Sequence, residues 1–277
     1  MTAWLKVRRG EAPLIVSFPH TGTDIPAEIE ARLTSPWLGR KDADWWVDRL
    51  YDFAGELGAT TVRTAISRTV IDVNRDPDGA SLYPGQTTTE LCPLTTFDGE
   101  ALYRPGAAPD EGEIAERRAR YFAPYHAALV AEIERLKTIH GAVVLYEAHS
   151  IRSRVPRLFD GELSNFNIGT NSARSCAPAL SAAVAAVCDA SPFTAITDGR
   201  FKGGYTTRHY GDPAVGVHAV QMELACRGYM DDPLGPVTAA NWPTPYDDAR
   251  AAPMRAVLSD ILKACIAFAS APGALPR

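Results

Sequence analysis

Two apolar runs, each followed closely by a histidine, constrain the fold of this chain more than any other feature. Residues 142–146 precede His149, and residues 13–18 precede His20. Continuous apolar runs of this length are typical of strands that are buried on both faces, as in a parallel sheet. Ligands of open α/β sheets bind beyond the carboxyl ends of such strands. We therefore expect both imidazoles at one edge of the sheet, where together they can hold a metal ion.

Strand and helix patterns alternate along the rest of the chain. This alternation predicts an α/β fold of three layers, a sandwich in which helices cover both faces of a mostly parallel mixed sheet. Further strands are predicted at 60–63, 69–73, 165–169 and 215–224, and helices at 41–57, 110–139, 177–189 and 251–269. Residues near 74–108 are rich in Pro, Gly, Asp and Thr, and a loop of this length is usually functional. We expect one domain over residues 1–277 that carries this long inserted loop.

The composition excludes several classes of protein. The net charge is −5 and the basic residues form no long block, which argues against a nucleic-acid or anionic-membrane surface. Residues 1–10 lack the apolar core of a signal peptide, and the apolar stretch at 182–188 is shorter than the roughly 20 residues that span a bilayer. The five cysteines form no C-x-x-C pair, so we expect neither disulfides nor a thiolate zinc site. We expect a cytoplasmic protein without membrane or nucleic-acid partners, either a monomer or a small homo-oligomer.

The two histidines are the candidate metal ligands. Taken alone, either one could simply hydrogen-bond backbone groups at the end of a strand. Two histidines at matched strand ends favour a shared metal, because two histidines and one carboxylate form a common catalytic zinc site that leaves a position for water. We expect one divalent cation, zinc or alternatively cobalt.

The third metal ligand stays open among several carboxylates. The candidates are Asp24, Asp42, Asp44, Asp48 and Glu147. Asp44 is favoured, and Asp42 is then predicted to cap the helix at 41–57. Asp24 lies in the loop after the first strand and is a rival. Glu147 leaves the same face of its strand as the second histidine, so it could be a ligand or could orient the imidazole.

Glu223 is the candidate general base. It stands in the apolar run at 215–224, where a buried carboxylate is costly unless it has a partner. It could form a structural ion pair with Arg227. In the functional interpretation, it takes a proton from an attacking water and delivers it to the leaving nitrogen.

Several arginines near predicted strand ends point to a small anionic substrate. Guanidinium groups bind carboxylates bidentately, which makes Arg75, directly after Asn74, the first candidate anchor. Arg152 and Arg208 are further candidates, and Arg68 adds to this basic set. Each of these arginines could instead be solvated or pair with a nearby carboxylate.

Six short motifs in order resemble the N-formylglutamate deformylase (N-formylglutamate amidohydrolase) family. They are SFPHTG at 17–22, DADW at 42–45, IDVNR at 71–75, LYPGQ at 82–86, EAHSIR at 147–152 and RFKGGY at 200–205. The resemblance extends from about residue 13 to residue 230. It implies metal-dependent hydrolysis of N-formyl-L-glutamate to L-glutamate and formate, a step of histidine degradation, on a fold similar to the zinc exopeptidases.

The resemblance also implies roles for individual residues. His20, Asp44 and His149 match the three places that hold zinc in the wider exopeptidase fold, and Glu223 matches its general base. The Asn74-Arg75 pair is similar to the pair that receives a substrate carboxylate. In the exopeptidases the acidic ligand follows the first histidine closely, whereas Asp44 is far from it in sequence, so Asp24 stays a rival.

Two other functions remain open from the sequence. A zinc deacylase or exopeptidase of the same fold could act on another N-acyl amino acid. A non-catalytic protein that binds an amino acid or a metal could share the pattern, although an intact Glu223 argues against it.

Overall fold

The computed structural model describes residues 4–80, 85 and 88–271, and seven strands in this part of the chain form one sheet. The strands are β1 (Leu5–Arg8), β2 (Leu14–Phe18), β3 (Thr60–Thr64), β4 (Val143–Ile151), β5 (Phe166–Gly169), β6 (Ala195–Thr197) and β7 (Val217–Ala225). Their spatial order is β1-β3-β2-β4-β7-β5-β6. The LYPGQ motif, apart from Gly85, lies outside the described residues.

Most neighbouring strands of the sheet run parallel. β2 pairs in parallel with β3 and β4, β4 with β7, and β5 with β6. The pairs β1–β3 and β5–β7 are antiparallel. The predicted α/β fold with a mostly parallel mixed sheet is therefore confirmed. Because β2 and β4 are adjacent and parallel, their carboxyl ends reach the same edge of the sheet.

Helices cover both faces of this sheet. They are α1 (Ala27–Glu30), α2 (Leu38–Lys41), α3 (Val47–Leu50), α4 (Glu111–Arg117), α5 (Ala123–His140), α6 (Pro178–Asp189), α7 (Tyr205–Tyr210) and α8 (Asp248–Ala269). A π-helical turn at Arg118–Phe122 joins α4 to α5, so the helix predicted at 110–139 is nearly continuous. Asp110 begins it, because its side chain accepts a hydrogen bond from the backbone N–H of Glu113 at 2.8 Å.

Alternate side chains of the central strands enter two separate cores. Val16 belongs to the core that contains Leu258 of α8 and Val184 of α6. Its neighbour Ile15 belongs to the core that contains Leu129 of α5. Since successive side chains of a strand point to opposite faces, β2 is buried on both sides and the sheet is the middle of three layers. The predicted likeness to the zinc exopeptidases stays a prediction.

The predicted helix at 41–57 is wrong. The segment instead contains a turn, the short helix α3 and a 3-10 turn at Asp52–Gly55. Trp46 adopts a left-handed conformation with φ 65°, which an α-helix cannot contain. The backbone N–H of Asp44 donates to the carbonyl of His20 at 3.0 Å, so the turn is bound to the end of β2 rather than continued as a helix.

The predicted helix-capping role of Asp42 is also wrong. Asp42 lies after α2 and before the turn, and no helix begins at the next residues. Its Oδ2 accepts a hydrogen bond from the backbone N–H of Phe97 at 2.7 Å. Asp42 therefore connects this turn to the long loop.

The predicted strand at 69–73 is a turn. The N–H of Val70 donates to the carbonyl of Ser67 at 2.9 Å, and the N–H of Asp72 donates to the carbonyl of Leu91 at 2.7 Å. Arg117 Nη1 donates to the carbonyl of Val70 at 2.9 Å. Because a loop and a side chain satisfy these backbone groups, the segment does not join the sheet despite its β-branched residues.

The described residues between 74 and 108 form no helix and no strand of the sheet. Isolated bridges connect Thr95 with Ala101 and Leu33 with Tyr103. The described helices include none that is long and apolar enough to cross a membrane.

Candidate metal centre and active-site cavity

Three buried side chains that are distant in sequence meet at the carboxyl edge of the sheet. His20 follows β2, His149 lies near the end of β4, and Asp44 stands in the turn before α3. Their exposed fractions are 3%, 3% and 1% respectively. This buried group could hold a metal ion.

The spacing of the three ligand atoms fits a tetrahedral cation. His20 Nδ1 lies 3.2 Å from His149 Nδ1. Asp44 Oδ2 lies 3.0 Å from His149 Nδ1 and 3.7 Å from His20 Nδ1. Zinc bonds of roughly 2.0–2.1 Å place neighbouring tetrahedral ligands about 3.3 Å apart. Two imidazole nitrogens and one carboxylate oxygen thus form a donor set that suits zinc.

The two imidazoles differ in their affinity for protons. Burial lowers the pKa of His149, but hydrogen bonds with Asp44 and Glu147 outweigh burial and raise it to about 10. Burial and the nearby charge of Arg68 lower the pKa of His20 to about 4. The carboxylates beside His149 thus favour a positive charge at its ring. A metal ion that binds at this ring competes with a proton, since metal-bound imidazole is neutral.

Asp72 orients the ring of His20. Its carboxylate is fully buried, and Oδ1 accepts a hydrogen bond from His20 Nε2 at 2.6 Å. Oδ2 accepts from Arg68 Nη2 at 2.7 Å. Burial raises the pKa of Asp72, but its interactions with His20, Arg75 and Arg68 outweigh burial and hold it well below the usual range. A carboxylate on Nε2 fixes the tautomer that leaves Nδ1 free to bind a metal.

Two groups lie beside the other ring nitrogen of His149, and of these Glu147 is the one that can accept its proton. Glu147 Oε2 lies 3.4 Å from His149 Nε2. Asn74 Nδ2 lies 3.0 Å from the same nitrogen, while its Oδ1 accepts from the N–H of Thr206 at 2.8 Å. Glu147 is thus on the side of the ring away from Asp44, where a carboxylate orients the imidazole.

The remaining carboxylates that the sequence left open lie elsewhere. Asp24 is exposed and its backbone bridges to Ile66. Asp48 Oδ2 pairs with Arg63 Nη1 at 2.7 Å. Asp42 is half-buried against the long loop, and desolvation of its carboxyl group raises its pKa to about 6. The buried group that could hold a metal contains Asp44 and none of these three.

Glu223 stands beside the candidate metal ligands. It is paired in register with His149 across β7 and β4 and is 8% exposed. Burial raises the pKa of Glu223 to about 7, although the charge of His149 opposes this shift. Arg227, its alternative partner, instead lies 3.7 Å from Glu162. A carboxyl group with a pKa near neutrality can both accept and donate a proton.

An open cavity of about 70 Å³ leads to these groups. His20, His149 and Glu223 lie in its wall, together with Asn74 and Arg75 from the predicted substrate-binding set. Of the described residues that line it, Glu223 is the single carboxylate, whereas three arginines (Arg68, Arg75 and Arg200) line it. The cavity therefore suits an anion.

Two other predicted substrate-binding arginines are absent from the described lining of this cavity. Arg152 Nη2 donates to Asp98 Oδ2 at 2.7 Å, and the same oxygen pairs with Lys41 Nζ at 2.6 Å. Arg208 Nε donates to the carbonyl of Gly203 at 2.8 Å. Both contacts support loops around the cavity.

Sequence reasoning did not single out Arg200, Phe97 or Asp72. Phe97 lines the cavity, and the guanidinium of Arg68 lies 4.8 Å from its ring centroid. Arg200 and Phe97 come from loops, whose side-chain directions no periodic pattern predicts. Asp72 did carry a signal, because an aspartate between two apolar residues needs polar partners if it is buried.

Known proteins are similar to this chain in fold or in sequence. The crystal structure of N-formylglutamate amidohydrolase from Ralstonia eutropha matches with a TM-score of 0.76 at 23% identity, over 96% of this chain and 97% of that chain. A protein from Agrobacterium tumefaciens matches with a TM-score of 0.69 at 20% identity, over 96% of both chains. At these identities the two structures show the fold alone.

The sequence relatives are closer. The N-formylglutamate deformylase of Pseudomonas aeruginosa is 46% identical over 269 residues, which cover 95% of this chain and 96% of that protein. The N-formylglutamate deformylase of Pseudomonas putida is 41% identical over 265 residues, with coverage of 95% and 96%. Residues 12–230 match the family model of N-formylglutamate amidohydrolase. This chain therefore belongs to the N-formylglutamate amidohydrolase family.

Proposed function

We propose that this chain hydrolyses N-formyl-L-glutamate to L-glutamate and formate as a metal-dependent amidohydrolase of histidine degradation. The observation that carries the proposal is the buried group of His20, Asp44 and His149, next to Glu223 in an arginine-lined cavity. The names of the two Pseudomonas relatives support the substrate.

His20 Nδ1, His149 Nδ1 and Asp44 Oδ2 would hold the cation. Zinc suits two imidazoles and a carboxylate, and cobalt accepts the same donors. When bound, such a cation supplies Lewis-acid activation of water and of an amide carbonyl. Asp72 and Glu147 keep the two rings in the orientation that binding requires.

Glu223 moves the proton in the proposed reaction. Its carboxylate takes a proton from the water that attacks the formyl carbon, and it then gives that proton to the amine nitrogen as the C–N bond breaks. Its burial supports both steps, since a pKa of about 7 lets the group exist in either form near neutral pH. Arg68, which lies in the same wall, can stabilise the negative charge that develops on the formyl oxygen.

Asn74 and Arg75 would position the substrate. Arg75 Nε and Nη2 donate to Thr89, at 3.1 Å to its carbonyl and 3.1 Å to its hydroxyl. The guanidinium is therefore held in place at the cavity wall, ready to bind a carboxylate. Arg152 and Arg208, the further candidates for substrate contact, lie outside the described lining of the cavity and contact Asp98 and Gly203, so we propose that they act by supporting its loops.

A formate-release assay tests this function. The purified protein with one equivalent of zinc should show its highest kcat/KM on N-formyl-L-glutamate, ahead of N-formyl-L-aspartate, N-acetyl-L-glutamate and a short peptide. A preference for N-acetylglutamate or the peptide would assign the site to a deacylase or an exopeptidase. Lack of turnover of all four with zinc or cobalt present would contradict an enzymatic function.

A further inference from the structure

The three arginines of the cavity come from different parts of the chain and differ in their partners. Arg68 is tied to the metal centre, because Nη2 binds Asp72 Oδ2 at 2.7 Å and Nη1 lies 3.8 Å from Asp44 Oδ1. It is 7% exposed. Arg68 is thus held by two buried carboxylates. Arg75 Nη1 reaches one of them, Asp72 Oδ2, at 3.8 Å, but its shorter contacts are with Thr89.

Arg75 lies close to the reacting groups. It follows Asn74, whose amide contacts His149 Nε2 at 3.0 Å. Its positive charge also acts to lower the pKa of Glu223. In an N-formyl amino acid, the α-carboxylate is attached to the carbon next to the scissile C–N bond. Arg75 is therefore placed for the α-carboxylate.

Arg200 is fixed in the cavity wall by a different loop, between β6 and α7. Its Nε donates to the carbonyl of Leu158, another lining residue, at 2.7 Å. The same loop is bound to the sheet, since the N–H of Gly204 donates to Gln221 Oε1 at 2.7 Å. A guanidinium held at Nε on a bound loop is preorganised, which lowers the entropy lost when it binds an anion.

Space around this loop is restricted at two glycines. A Cβ on Gly204 would lie 2.4 Å from Asn74 Nδ2, and a Cβ on Gly169 would lie 2.6 Å from the backbone N of Gly203. The loop therefore packs directly against Asn74 and the end of β5. This close packing keeps Arg200 at a set position relative to Arg75.

We propose that Arg200 is the specificity-determining residue that binds the side-chain carboxylate of the substrate, while Arg75 binds its α-carboxylate. The inference rests on the proposed function and goes further, because it explains how the site distinguishes an N-formyl dicarboxylic amino acid from a neutral one. Two guanidiniums then meet the two carboxylates, and the small formyl group needs no deep acyl pocket.

Paired substrates test this assignment. Arg200→Gln should lower kcat/KM for N-formyl-L-glutamate by about 10- to 100-fold, as expected for loss of a charge-assisted contact. It should change kcat/KM for N-formyl-L-norvaline, which lacks the second carboxylate, by less than about 3-fold, and this retained activity shows that the variant is folded. Arg75→Gln should lower both values. Arg154→Gln, whose arginine pairs with Glu162 at the surface, should change neither.

Inhibition supplies a second measurement in case the neutral substrate is turned over too slowly. The competitive Ki of glutarate should rise about 10- to 100-fold in Arg200→Gln, whereas that of butyrate should not change. Equal losses on both substrates, or equal changes in both Ki values, would overturn the role of Arg200 while leaving the proposed function intact. A wild-type protein that releases no formate from N-formyl-L-glutamate would instead overturn the proposed function, and this assignment with it.

Discussion

Glu223 and His149 are paired in register on the adjacent parallel strands β7 and β4. Both side chains are buried, and both line the cavity. This pairing holds a carboxylate next to an imidazole of the candidate metal centre without any loop between them. A site built on strands is positioned more firmly than one built on loops alone.

Removal of the carboxylate of Glu223 tests its role as a base. Glu223→Gln keeps the shape of the side chain but cannot accept a proton, so kcat for N-formyl-L-glutamate should fall by about 100-fold or more, while zinc stays bound. Formate release and metal content are measured on the same sample. Glu162→Gln, a carboxylate at the protein surface, should keep activity within about 2-fold. If Glu223→Gln turned over at the wild-type rate, the assignment of the base would be wrong.

The choice of acidic ligand is tested by two matched substitutions. Asp44→Asn should weaken zinc binding by more than about 100-fold, since loss of a ligand exceeds the effect of losing an orienting group. Asp24→Asn should leave zinc affinity unchanged, because Asp24 is exposed and outside the buried group. Competition with a chromophoric chelator gives both affinities, and the opposite ranking would make Asp24 the ligand.

The orienting role of Asp72 predicts a smaller effect. Asp72→Asn leaves all three ligands in place but replaces the anionic acceptor of His20 Nε2, which lies at 2.6 Å. Zinc affinity should fall by about 10- to 100-fold. Asp78→Asn is a suitable control, since that carboxylate is 79% exposed and pairs with Arg118. Equal affinities of wild type and Asp72→Asn would show that the bond to His20 does not support the metal.

His126 predicts how stability depends on pH. Its Nε2 donates to the carbonyl of Val73 at 2.8 Å, and its Nδ1 accepts from the hydroxyl of Tyr210 at 2.9 Å. Burial lowers the pKa of His126 from 6.5 to about 4. Between pH 4 and pH 6.5, the unfolded chain therefore binds a proton at this residue that the folded chain does not. The contribution of the neutral ring to the free energy of unfolding is complete above pH 6.5 and is lost as the pH falls toward 4.

Urea unfolding at pH 8 and pH 5 measures this dependence in metal-free buffer. With pKa values of 6.5 in the unfolded chain and about 4 in the folded chain, His126 should lower the free energy of unfolding by about 2 kcal/mol between pH 8 and pH 5. His126→Gln keeps a hydrogen-bond donor and does not titrate, so its loss between the two pH values should be smaller by that amount. Equal losses in the two proteins would show that His126 is not buried as a neutral ring.

The sequence was sufficient to predict the sheet and the convergence of His20 with His149. Both follow from continuous apolar runs, whose burial on two faces needs no knowledge of distant contacts. The turn that carries Asp44 was not predicted, because its apolar residues have helical spacing while Trp46 takes a left-handed conformation. That conformation depends on tertiary contacts, such as the bond from Asp44 N–H to His20, which a local pattern does not contain.

Side chains from loops were the hardest to predict. Arg152 and Arg200 look alike in the sequence, since each stands in a loop near a strand end. In the structure, Asp98 binds Arg152, whereas Leu158 holds Arg200 in the cavity wall. The difference arises from long-range partners, and those partners lie in segments with no periodic pattern.

Zinc-edge X-ray absorption on protein loaded with one equivalent of zinc tests whether His20 and His149 bind the same metal ion. One zinc should bind per chain, with nitrogen and oxygen ligands at roughly 2.0–2.1 Å and the scattering signature of two imidazoles. His20→Ala and His149→Ala should each lose one imidazole from that signature. A sulfur ligand, a single imidazole in the wild type, or no stoichiometric zinc would contradict this shared site.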